Sequence, residues 1–510
     1  MVRVTHTRLR LAILLAVALL VGGGCSRDSR PDPAESSSES ASPSADAGAA
    51  GQFADSLARK VTVDATMAHM QALQDIANAN GGNRALGTAG YAASVDYVAK
   101  ALRDKGFDVD TPEFEVRLPF ADAPKLTVAG GEITARPLEY TAGAPGAGVS
   151  GPIVAARVED SPGCTAQDYD GLPTQGAVVV VDRGSCPFGE KQTAAASRGA
   201  VALIVVNNDD GEVTGGTLGE STDVKIPVIS VAKAEGPRLR EAAGDPATIR
   251  MNAGVRTEKT RNVIAQTKTG STQDVVMVGA HLDSVPDGPG INDNGSGTAA
   301  VLETALQLGS SPQVANAVRF AFWGGEELGL LGSFNYVNSL NSDQLTDIAL
   351  YLNFDMLGSP NPGYFTYDGD QSTGVGNGAV PRVPEGSAGI ERALVGYLAS
   401  AGKQAEDTGF DGRSDYDAFT RTGVPSGGLF SGAEEKMTAE QAKLWGGQAD
   451  QPFDPNYHKA TDTLDRIDRT AMGINGSGVG YAVGLYAQDQ RGRNGIPVRD
   501  DRTRHILRES

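Results

Sequence analysis

The amino-acid sequence predicts an α/β protein with a mixed, largely parallel sheet sandwiched by helices and an inserted, mainly-β domain. Three short apolar runs indicate the parallel strands: Val275–Val278, Val318–Phe322 and Ile348–Leu352. Each run is almost continuously apolar, and a helix-length segment separates it from the next, as expected for strands that are buried on both faces. Further strand-like runs between residues 177 and 231 alternate with turns and indicate the inserted domain.

The first 24 residues have the features of an export signal. Arginines at positions 3, 8 and 10 precede an apolar run at 11–21 that is too short for a comfortable membrane span. Gly22–Gly24 and Cys25 follow, and a small-residue run that ends in cysteine resembles the box of bacterial lipoproteins. Gly22 stands where an aliphatic residue is more usual. Two outcomes therefore stay open: a lipid anchor on Cys25 at the cell membrane, or cleavage and secretion to the extracellular space.

The remaining chain divides by composition. Residues 25–51 are rich in serine, alanine and proline, lack apolar periodicity, and predict a disordered tether. Helical periodicity starts at Gln52, and residues 52–144 are assigned to the first part of the main domain. The inserted domain occupies 145–257, the main domain resumes at 258–487, and a charged tail at 488–510 is expected to fray.

Polar residues that can bind metal follow the three apolar runs directly. The carboxyl ends of parallel strands meet at one edge of a sheet, where α/β folds place their sites. Imidazole and carboxylates without a nearby cysteine are a ligand set for zinc or a similar divalent ion. Isolated charges of this kind are usually solvated loop ends, but a set at three successive strand ends favours a metal site. The set consists of His281, Asp283, Asp293, Glu326, Glu327 and Asp355.

The spacing within this set suggests which residues bind metal and which residue acts as a general base. His281 and Asp283 are two residues apart, so they project to the same side of an extended chain. One can bind the metal while the other steadies it. Glu326 and Glu327 are adjacent, which suits one metal ligand and one free general base.

Seven motifs follow one another in the second half of the chain: HLDS, GINDNGSGTAAVLE, WGGEELGLLGS, NFDMLGS, GFDGRSDYDAF, GVPSGGLFSGAEE and FDPNYHKATDT. In this order they resemble the motifs of the secreted bacterial dizinc leucyl-type aminopeptidases, a family of zinc-dependent exopeptidases. The similarity covers about 262–487 and also the helical run that contains NRALGTAGY. The stretch GAVVVVDRGSCPFGEKQ resembles the protease-associated domain that is inserted in several secreted peptidases. Such a domain could be a lid over the substrate or a passive insertion.

The resemblance implies a ligand set for two zinc ions. His281 and Asp355 would hold one ion, Glu327 and His458 would hold the other, and Asp293 would bridge the two. In the family, the peptide bond after the bridging aspartate is cis, so the bond from Asp293 to Asn294 is expected to be cis. A calcium ion is compatible with the family but does not follow from these residues.

The resemblance also implies roles for residues around the metals. Glu326 would be the general base, and Tyr457 would hydrogen-bond the scissile carbonyl. Arg413, with Glu326 and Asp355, would help to recognise the free amino end of the substrate. Phe430 suggests an apolar pocket for the first side chain.

The three cysteines are Cys25, Cys164 and Cys186, an odd number that needs explaining in an exported protein. If Cys25 is acylated, the other two remain inside the inserted domain and can pair in an oxidising compartment. The related aminopeptidases can carry another disulfide near the last histidine motif. FDPNYHKATD has no cysteine, so the loop that presents His458 is expected to be held by packing alone.

Charge and motif content narrow the function further. The formal net charge is −19, or −22 without residues 1–24, and no basic stripe compensates, which argues against nucleic acid as a partner. We expect a monomer that acts on peptides with a free N-terminus. The competing hypotheses are a carboxypeptidase, a glutaminyl cyclase of the same fold, or a catalytically inactive binding module. An aminopeptidase is favoured for three reasons. The complete two-metal set counts against a cyclase, GRSDY counts against a carboxypeptidase, and the presence of Glu326 counts against an inactive module.

Overall fold

The structure, a computed structural model, describes residues 45–156, 163–208, 216–373 and 382–507. Two eight-stranded sheets, joined by a two-stranded ribbon, form its framework. The predicted export signal, Cys25 and most of the predicted tether lie outside the described residues. Among the helices of the described segments, none combines the length and apolar character needed to cross a bilayer.

The chain passes through three successive groups of elements. The first consists of α1 (Ala45–Lys60), α2 (Val63–Ala79), α3 (Ala89–Asp104), β1 (Asp108–Asp110) and β2 (Glu113–Ala121). The second consists of β3 (Lys125–Val128), β4 (Gly131–Ile133), β5 (Arg136–Pro137), β6 (Ala144–Ala155), β7 (Val178–Asp182), α4 (Phe188–Ser197), β8 (Ala202–Val206), β9 (Val228–Val231), α5 (Gly236–Glu241) and β10 (Pro246–Met251). The third consists of β11 (Ala253–Arg261), β12 (Val263–Gln266), β13 (Ser271–His281), α6 (Gly297–Leu308), β14 (Asn316–Trp323), α7 (Leu331–Ser339), α8 (Ser342–Asp347), β15 (Ile348–Phe354), β16 (Phe365–Tyr367), α9 (Ser387–Ser400), β17 (Glu406–Thr408), α10 (Tyr416–Arg421), β18 (Ser426–Phe430), α11 (Ala439–Trp445) and α12 (Arg469–Gln488).

The main sheet has the strand order β1-β12-β14-β13-β15-β18-β16-β17. Strand β13 lies between β14 and β15 and is parallel to both, and β15 is parallel to β18. Strands β12 and β16 are antiparallel to their neighbours β14 and β18, so the sheet is mixed. The three predicted apolar runs lie in β13, β14 and β15, and every residue of β15 is buried. The predicted parallel centre of the sheet is therefore confirmed.

Helix α1 begins at Ala45, so the prediction of a disordered tether over 25–51 is wrong for residues 45–51. This helix packs against α12 through small residues: a Cβ on Gly484 would lie 2.8 Å from the Cα of Ala54, and one on Gly480 would lie 3.2 Å from the Cα of Ala58. Ala50 and Ala54 are buried there. Contacts between alanine and glycine leave no periodic pattern of large apolar residues, so sequence periodicity missed the start of the helix.

The C-terminal segment docks on the main sheet instead of fraying, at least as far as residue 507. Arg502 is buried and donates hydrogen bonds to the carbonyl oxygens of Gln273 (2.8 Å) and Thr346 (3.0 Å). Arg504 donates to the carbonyl oxygen of Ile348 at the start of β15 (2.7 Å). The prediction of a frayed tail is wrong here because the anchors are polar bonds to a distant part of the chain.

The second sheet, with order β4-β3-β10-β6-β7-β8-β9-β5, forms the inserted domain. Strands β3 to β5 precede residue 145, so this domain begins near residue 122, earlier than predicted. These strands have only two to four residues each, which makes their sequence signal weak. The chain enters and leaves through the antiparallel ribbon of β2 and β11. A disulfide joins Cys164 and Cys186 within this domain, as predicted.

Candidate active site

The carboxyl ends of β13, β14 and β15 bring the predicted residues to one edge of the main sheet. His281 is the last residue of β13, Glu326 and Glu327 lie just past β14, and Asp355 directly follows β15. Two more of the predicted metal ligands come from connecting segments: Asp293 from the stretch before α6, and His458, which the family resemblance implied, from the loop between α11 and α12.

His281 faces three carboxylates through one nitrogen. Its Nε2 lies 3.2 Å from Oδ1 of Asp293, 3.4 Å from Oδ1 of Asp355 and 4.0 Å from Oε2 of Glu326. His281 is 1 % exposed, and the three carboxylate side chains are largely buried beside it.

His458 forms a second group that shares Asp293 with the first. Its Nε2 lies 3.0 Å from Oε2 of Glu327 and 3.2 Å from Oδ2 of Asp293. The two oxygens of Asp293 therefore face different histidines. This is the arrangement expected of one carboxylate between two cations.

The geometry of these contacts fits metal coordination better than direct hydrogen bonding. Within the described chain, the following atoms have no partner in hydrogen-bond geometry: Nε2 of His281 and His458, Oδ2 of Asp293, Oε1 of Glu327 and Oδ1 of Asp355. Ligand atoms at about 2.0–2.1 Å from a tetrahedral zinc lie about 3.3 Å apart, which is the spacing between the ring nitrogens and the carboxylates. Nitrogen and oxygen donors of these types suit zinc. The residues present therefore fit a zinc centre.

Burial and crowding of the acids alter their protonation. Burial raises the pKa of Glu326 well above its usual value and that of Glu327 to about 7, and neighbouring carboxylates add to both shifts. Burial lowers the pKa of His458, but the carboxylates of Asp293 and Glu327 outweigh it and raise the pKa to about 11. A cluster of this kind holds protons until cations replace them.

Asp283 lies behind this centre and is fully buried. Its Oδ1 accepts the backbone N–H of Glu326 at 3.3 Å, which fixes the segment that carries both glutamates. Nδ1 of His281 lies 3.2 Å from the carbonyl oxygen of Asp283 and 3.6 Å from its carboxylate. Asp283 thus contacts the histidine chiefly through its main chain, whereas the sequence suggested the carboxylate.

A cavity of about 340 Å³ opens beside the centre, and Asp293, Glu326 and Asp355 form part of its wall. Phe430, at the end of β18, lies in the same wall with Phe365 and Phe453. The ring of Phe365 is 6.1 Å from that of Phe430 and 5.3 Å from that of Phe453, so the three form an aromatic lining. We call this space the aromatic cavity.

Arg413 and Tyr457 also line the aromatic cavity. Nη2 of Arg413 donates to the hydroxyl of Tyr457 at 3.2 Å, and the guanidinium pairs with Glu434 at 2.8 Å and Glu435 at 3.3 Å. Burial raises the pKa of Tyr457, so this side chain keeps its hydroxyl proton. Arg413 therefore contacts Tyr457 and two acids of the rim directly, and shares only the cavity wall with Glu326 and Asp355.

Two further residues support the site and were missed in the sequence. Arg84 is fully buried and donates to the carbonyl oxygens of Leu282, Pro289 (2.9 Å) and Gly290 (2.6 Å), which braces the segment after β13. Burial lowers its pKa to about 10, although nearby acids oppose the shift. The only signal was its place in the stretch NRALGTAGY, and a single arginine carries no periodicity of its own.

Asp462 is the second supporting residue, and it joins the loop that carries His458 to the segment that carries Asp293. Its carboxylate accepts the backbone N–H of Asn292 at 2.8 Å and of Asp293 at 3.0 Å. The side chain of Asn292 in turn donates to Asp454 at 2.7 Å. The expectation that packing alone holds the His458 loop is therefore wrong, because buried aspartates at both ends of the loop bond to the Asp293 segment. The bond from Asp293 to Asn294 is cis, as expected.

A sheet-edge cluster of two histidines and four carboxylates that fits zinc, with a substrate-sized cavity beside it, is typical of a metal-dependent hydrolase. Comparison with known proteins narrows the class. The model of peptidase family M28 matches residues 262–483, and the model of the PA domain matches residues 149–239.

Whole-chain relatives agree with these domain matches. A probable lipoprotein aminopeptidase, LpqL, from Mycobacterium tuberculosis is 66 % identical over 459 residues, which cover 90 % of this chain and 92 % of the relative. Leucine aminopeptidase 2 from Arthroderma otae is 41 % identical over 443 residues, which cover 86 % of this chain and 87 % of the relative. The chain is also similar to the crystal structure of BSAP, a zinc aminopeptidase from Bacillus subtilis, with a TM-score of 0.67, 25 % identity and coverage of 85 % of this chain and 98 % of that one.

The chain belongs to peptidase family M28 and is a metallo-aminopeptidase that carries an inserted PA domain.

Proposed function

We propose that this protein is an exported aminopeptidase that uses two zinc ions to release large apolar, leucine-like residues from the N-termini of peptides. The observation that carries the proposal is Asp293, whose two oxygens face His281 and His458 separately. His281 and Asp355 would hold one ion, and His458 and Glu327 the other. Zinc ions bound there supply Lewis acidity toward the scissile carbonyl and lower the pKa of a water molecule.

Glu326 is the proposed general base. Its carboxylate lies near His281 without being among the closest ligand atoms, at 4.0 Å from Nε2. Asp283 anchors its main chain, and burial raises its pKa well above the usual value, which makes the carboxylate a better proton acceptor. Glu326 would take a proton from the attacking water and deliver it to the leaving amine.

Tyr457 is the proposed donor to the oxygen of the scissile carbonyl as negative charge develops there. It lies in the wall of the aromatic cavity next to His458, and its ring stacks on that histidine with centroids 3.8 Å apart. The bond from Arg413 orients the Tyr457 hydroxyl, because an oxygen that accepts from a guanidinium must point its own proton elsewhere. Arg413 is thus proposed to act through Tyr457 as well as at the rim.

The aromatic cavity supports the preference for a large apolar first residue. Phe365, Phe430 and Phe453 offer apolar surface for a leucine-like side chain, while Glu326 and Asp355 in the same wall can attract a free ammonium group. Such a site selects against a blocked N-terminus because acylation removes the positive charge that the carboxylates recognise.

Export and anchoring are proposed from the leader and from the relative that is named a lipoprotein aminopeptidase. Cys25 would carry the lipid, and the protein would act as a monomer at the outer face of the cell membrane. Replacement of Cys25 by serine should move the protein from membrane to medium or leave an uncleaved precursor. A soluble wild-type protein without lipid mass on Cys25 would instead indicate ordinary secretion.

The decisive test of the activity compares leucine amide with N-acetyl-leucine amide on protein stripped of metal and reloaded with zinc. Leucine amide should be hydrolysed only by the reloaded protein, with activity rising until two equivalents of zinc are bound, and the acetylated compound should be inert. Hydrolysis of the blocked compound, or full activity at one equivalent, would overturn the proposal.

A further inference from the structure

A second cavity, of about 410 Å³, lies between the peptidase domain and the inserted domain. It shares no lining residue with the aromatic cavity: it reaches Glu327 and His458, whereas the aromatic cavity reaches Glu326 and Asp355. The candidate metal centre therefore lies between the two spaces. We call this second space the interdomain cleft.

The inserted domain supplies one wall of the interdomain cleft. Residues 136–140, which comprise strand β5 and the three residues after it, line the cleft together with Gly216. The opposite wall comes from the peptidase domain, with residues 284–287 and Leu328 beside the metal-facing residues. The ribbon contributes residues 118–121 at the side. The inserted domain is thus placed where it can touch a molecule that reaches the metal centre.

Substrate direction follows from the proposed aminopeptidase activity, on which this inference rests. If the aromatic cavity takes the side chain of the first residue, the peptide beyond the scissile bond must leave the centre on another side. The interdomain cleft meets the same centre at His458 and Glu327 and offers that exit. The second residue of the substrate would then lie against the inserted domain.

Glu139 is the acidic residue that the inserted domain presents in the cleft, and its backbone is fixed on both sides. Its N–H donates to the carbonyl oxygen of Gly216 at 2.9 Å, and its own carbonyl accepts from the N–H of Leu218 at 3.1 Å. The carboxylate is hydrogen-bonded to Thr217, and it is close enough to His458 and Asp287 to interact with both electrostatically. Burial raises the pKa of the Glu139 carboxyl group, whereas the bond from Thr217 and the proximity of His458 oppose that shift. The carboxylate thus lies at the metal-side end of the cleft, where a substrate cation would favour its charged form.

The two arginines that line the cleft, Arg136 and Arg256, are already engaged with partners. Arg256, on β11, pairs with Glu258 at 2.7 Å, so its charge is already compensated. Arg136 lies on the edge strand β5 and is also engaged with a partner. Asp287 adds a second negative charge on the opposite wall. Besides Asp283 and Glu327 of the candidate metal centre, one acid from each domain, Glu139 and Asp287, thus gives the cleft a negative character.

We propose that the inserted domain forms the subsite for the second residue of the substrate and that Glu139 selects this residue by charge. Lysine or arginine at the second position is favoured, and aspartate or glutamate is disfavoured. A fixed carboxylate in a partly buried cleft interacts with a substrate charge much more strongly than an exposed one does, because less water screens the pair.

The test measures kcat/KM for three tripeptides that differ only in the second residue: Leu-Lys-Ala, Leu-Gln-Ala and Leu-Glu-Ala. For the wild-type protein loaded with zinc, we expect the lysine peptide to exceed the glutamate peptide by about tenfold or more. Glu139→Gln keeps the size of the side chain and one acceptor oxygen for Thr217, and should reduce the ratio to about two- to threefold, with Asp287 responsible for the rest. High salt should also lower the ratio of the lysine to the glutamate peptide in the wild type, because salt screens the interaction between charges.

Glu132→Gln is the matched control, since it removes the same charge from the same domain. Glu132 is exposed on β4, at the opposite edge of the second sheet from β5. Its ratio of lysine to glutamate peptide should equal that of the wild type.

Two results would overturn the inference. One is a ratio of the lysine to the glutamate peptide that is near unity for the wild-type protein; this measurement requires no variant. The other is a Glu139→Gln variant that loses activity on all three peptides equally and keeps the ratio, since that would indicate a structural role only. Leucine amide separates the two proposals: a protein that cleaves it without discriminating among the tripeptides retains the aminopeptidase function and loses this inference alone.

Discussion

Strands β7, β8 and β9 of the inserted domain and β13, β14 and β15 of the peptidase domain are built alike. Each trio is parallel at its pairings and rich in valine and other apolar residues, and the C-terminal half of each strand is largely buried. The two trios differ in the side chains at and just beyond the strand ends. At the end of β7, Asp182 pairs with Arg240, and after β8 the side chain of Asn207 accepts a bond from Arg183 at 3.1 Å. In the peptidase domain, buried acids and histidines crowd together and several of their atoms lack hydrogen-bond partners within the described residues.

The comparison shows that the same kind of strand can end in a structural contact or in a reactive centre. The apolar pattern determines the sheet, and the side chains just beyond it determine the chemistry. Among the described residues of the inserted domain, Nε of Arg240 is also buried without a partner, but it is a single atom, whereas five such histidine and carboxylate atoms lie together in the peptidase domain. A cluster of this kind marks the second case, because such atoms are costly unless a ligand satisfies them.

The largest effect on turnover is expected from Glu326→Gln, because this residue lies at the reactive edge of the main sheet and has no reactive counterpart among the described residues at the edge of the second sheet. The amide cannot accept a proton as a general base, so kcat should fall by about 10²–10⁴ while two zinc ions stay bound. The matched change at the other sheet, Asp182→Asn, should leave turnover unchanged. Kinetics beside metal analysis test this, and wild-type turnover in the Glu326 variant would refute the assigned role.

His458→Ala should remove one zinc ion preferentially, because only Glu327 and the shared Asp293 then remain on that side. Metal analysis after dialysis should give about one equivalent in place of two. His69→Ala is the control, since His69 bonds to Tyr97 and Glu303 away from the centre. Retention of both ions in the His458 variant would contradict the ligand assignment.

Asp462→Ala should weaken zinc binding by about 10–100-fold, as is typical when a residue that positions a metal ligand is lost. It leaves the backbone N–H groups of Asn292 and Asp293 without their acceptor, so the segment between the ions loosens. Asp465→Ala, an exposed position in the same loop, is the control. Chelator competition measures the affinity, and equal values for the two variants would show that Asp462 does not position the site.

Zinc affinity should also rise with pH. With its pKa raised to about 11, His458 is protonated at neutral pH in the metal-free protein, and only its neutral form can bind zinc. Binding therefore displaces a proton, and affinity should increase about tenfold per pH unit for each proton released. Below about pH 7, protonated Glu327 should steepen the dependence. Chelator competition at pH 6, 7 and 8 tests the sign, and an affinity that is independent of pH would contradict it.

The smallest effect on catalysis is expected in the inserted domain. Replacing both Cys164 and Cys186 by serine should lower the free energy of unfolding by about 2–4 kcal/mol, since the bridge closes a loop in the unfolded chain. Zinc content and leucine amide turnover at 25 °C should be unchanged. Loss of zinc in this variant would show that the two domains are coupled more tightly than their separate sheets suggest.

Local signals in the sequence predicted the parts of the molecule that depend on neighbouring residues. Continuous apolar runs indicated β13 to β15, and polar residues directly after them indicated His281, Glu326, Glu327 and Asp355. The missed features depend on contacts between segments that are distant in the sequence. Helix α1 packs on α12 through alanine and glycine, Arg502 bonds to Gln273 in β13, and Asp462 bonds to the segment that carries Asp293. Such contacts produce no periodicity, and the short strands β3 to β5 left too few residues to establish one.

The ribbon of β2 and β11 has a consequence for how this protein can change over evolution. Ala121 and Ala253 are paired at its far end, and the N–H of Asp122 donates to the carbonyl oxygen of Asn252 at 2.8 Å, so the two ends of the insertion lie side by side. A short turn could therefore join the strands as a hairpin and remove the whole second sheet without breaking the first. Loss of the inserted domain would therefore require only one new turn, and another domain could be inserted where the two strand ends meet.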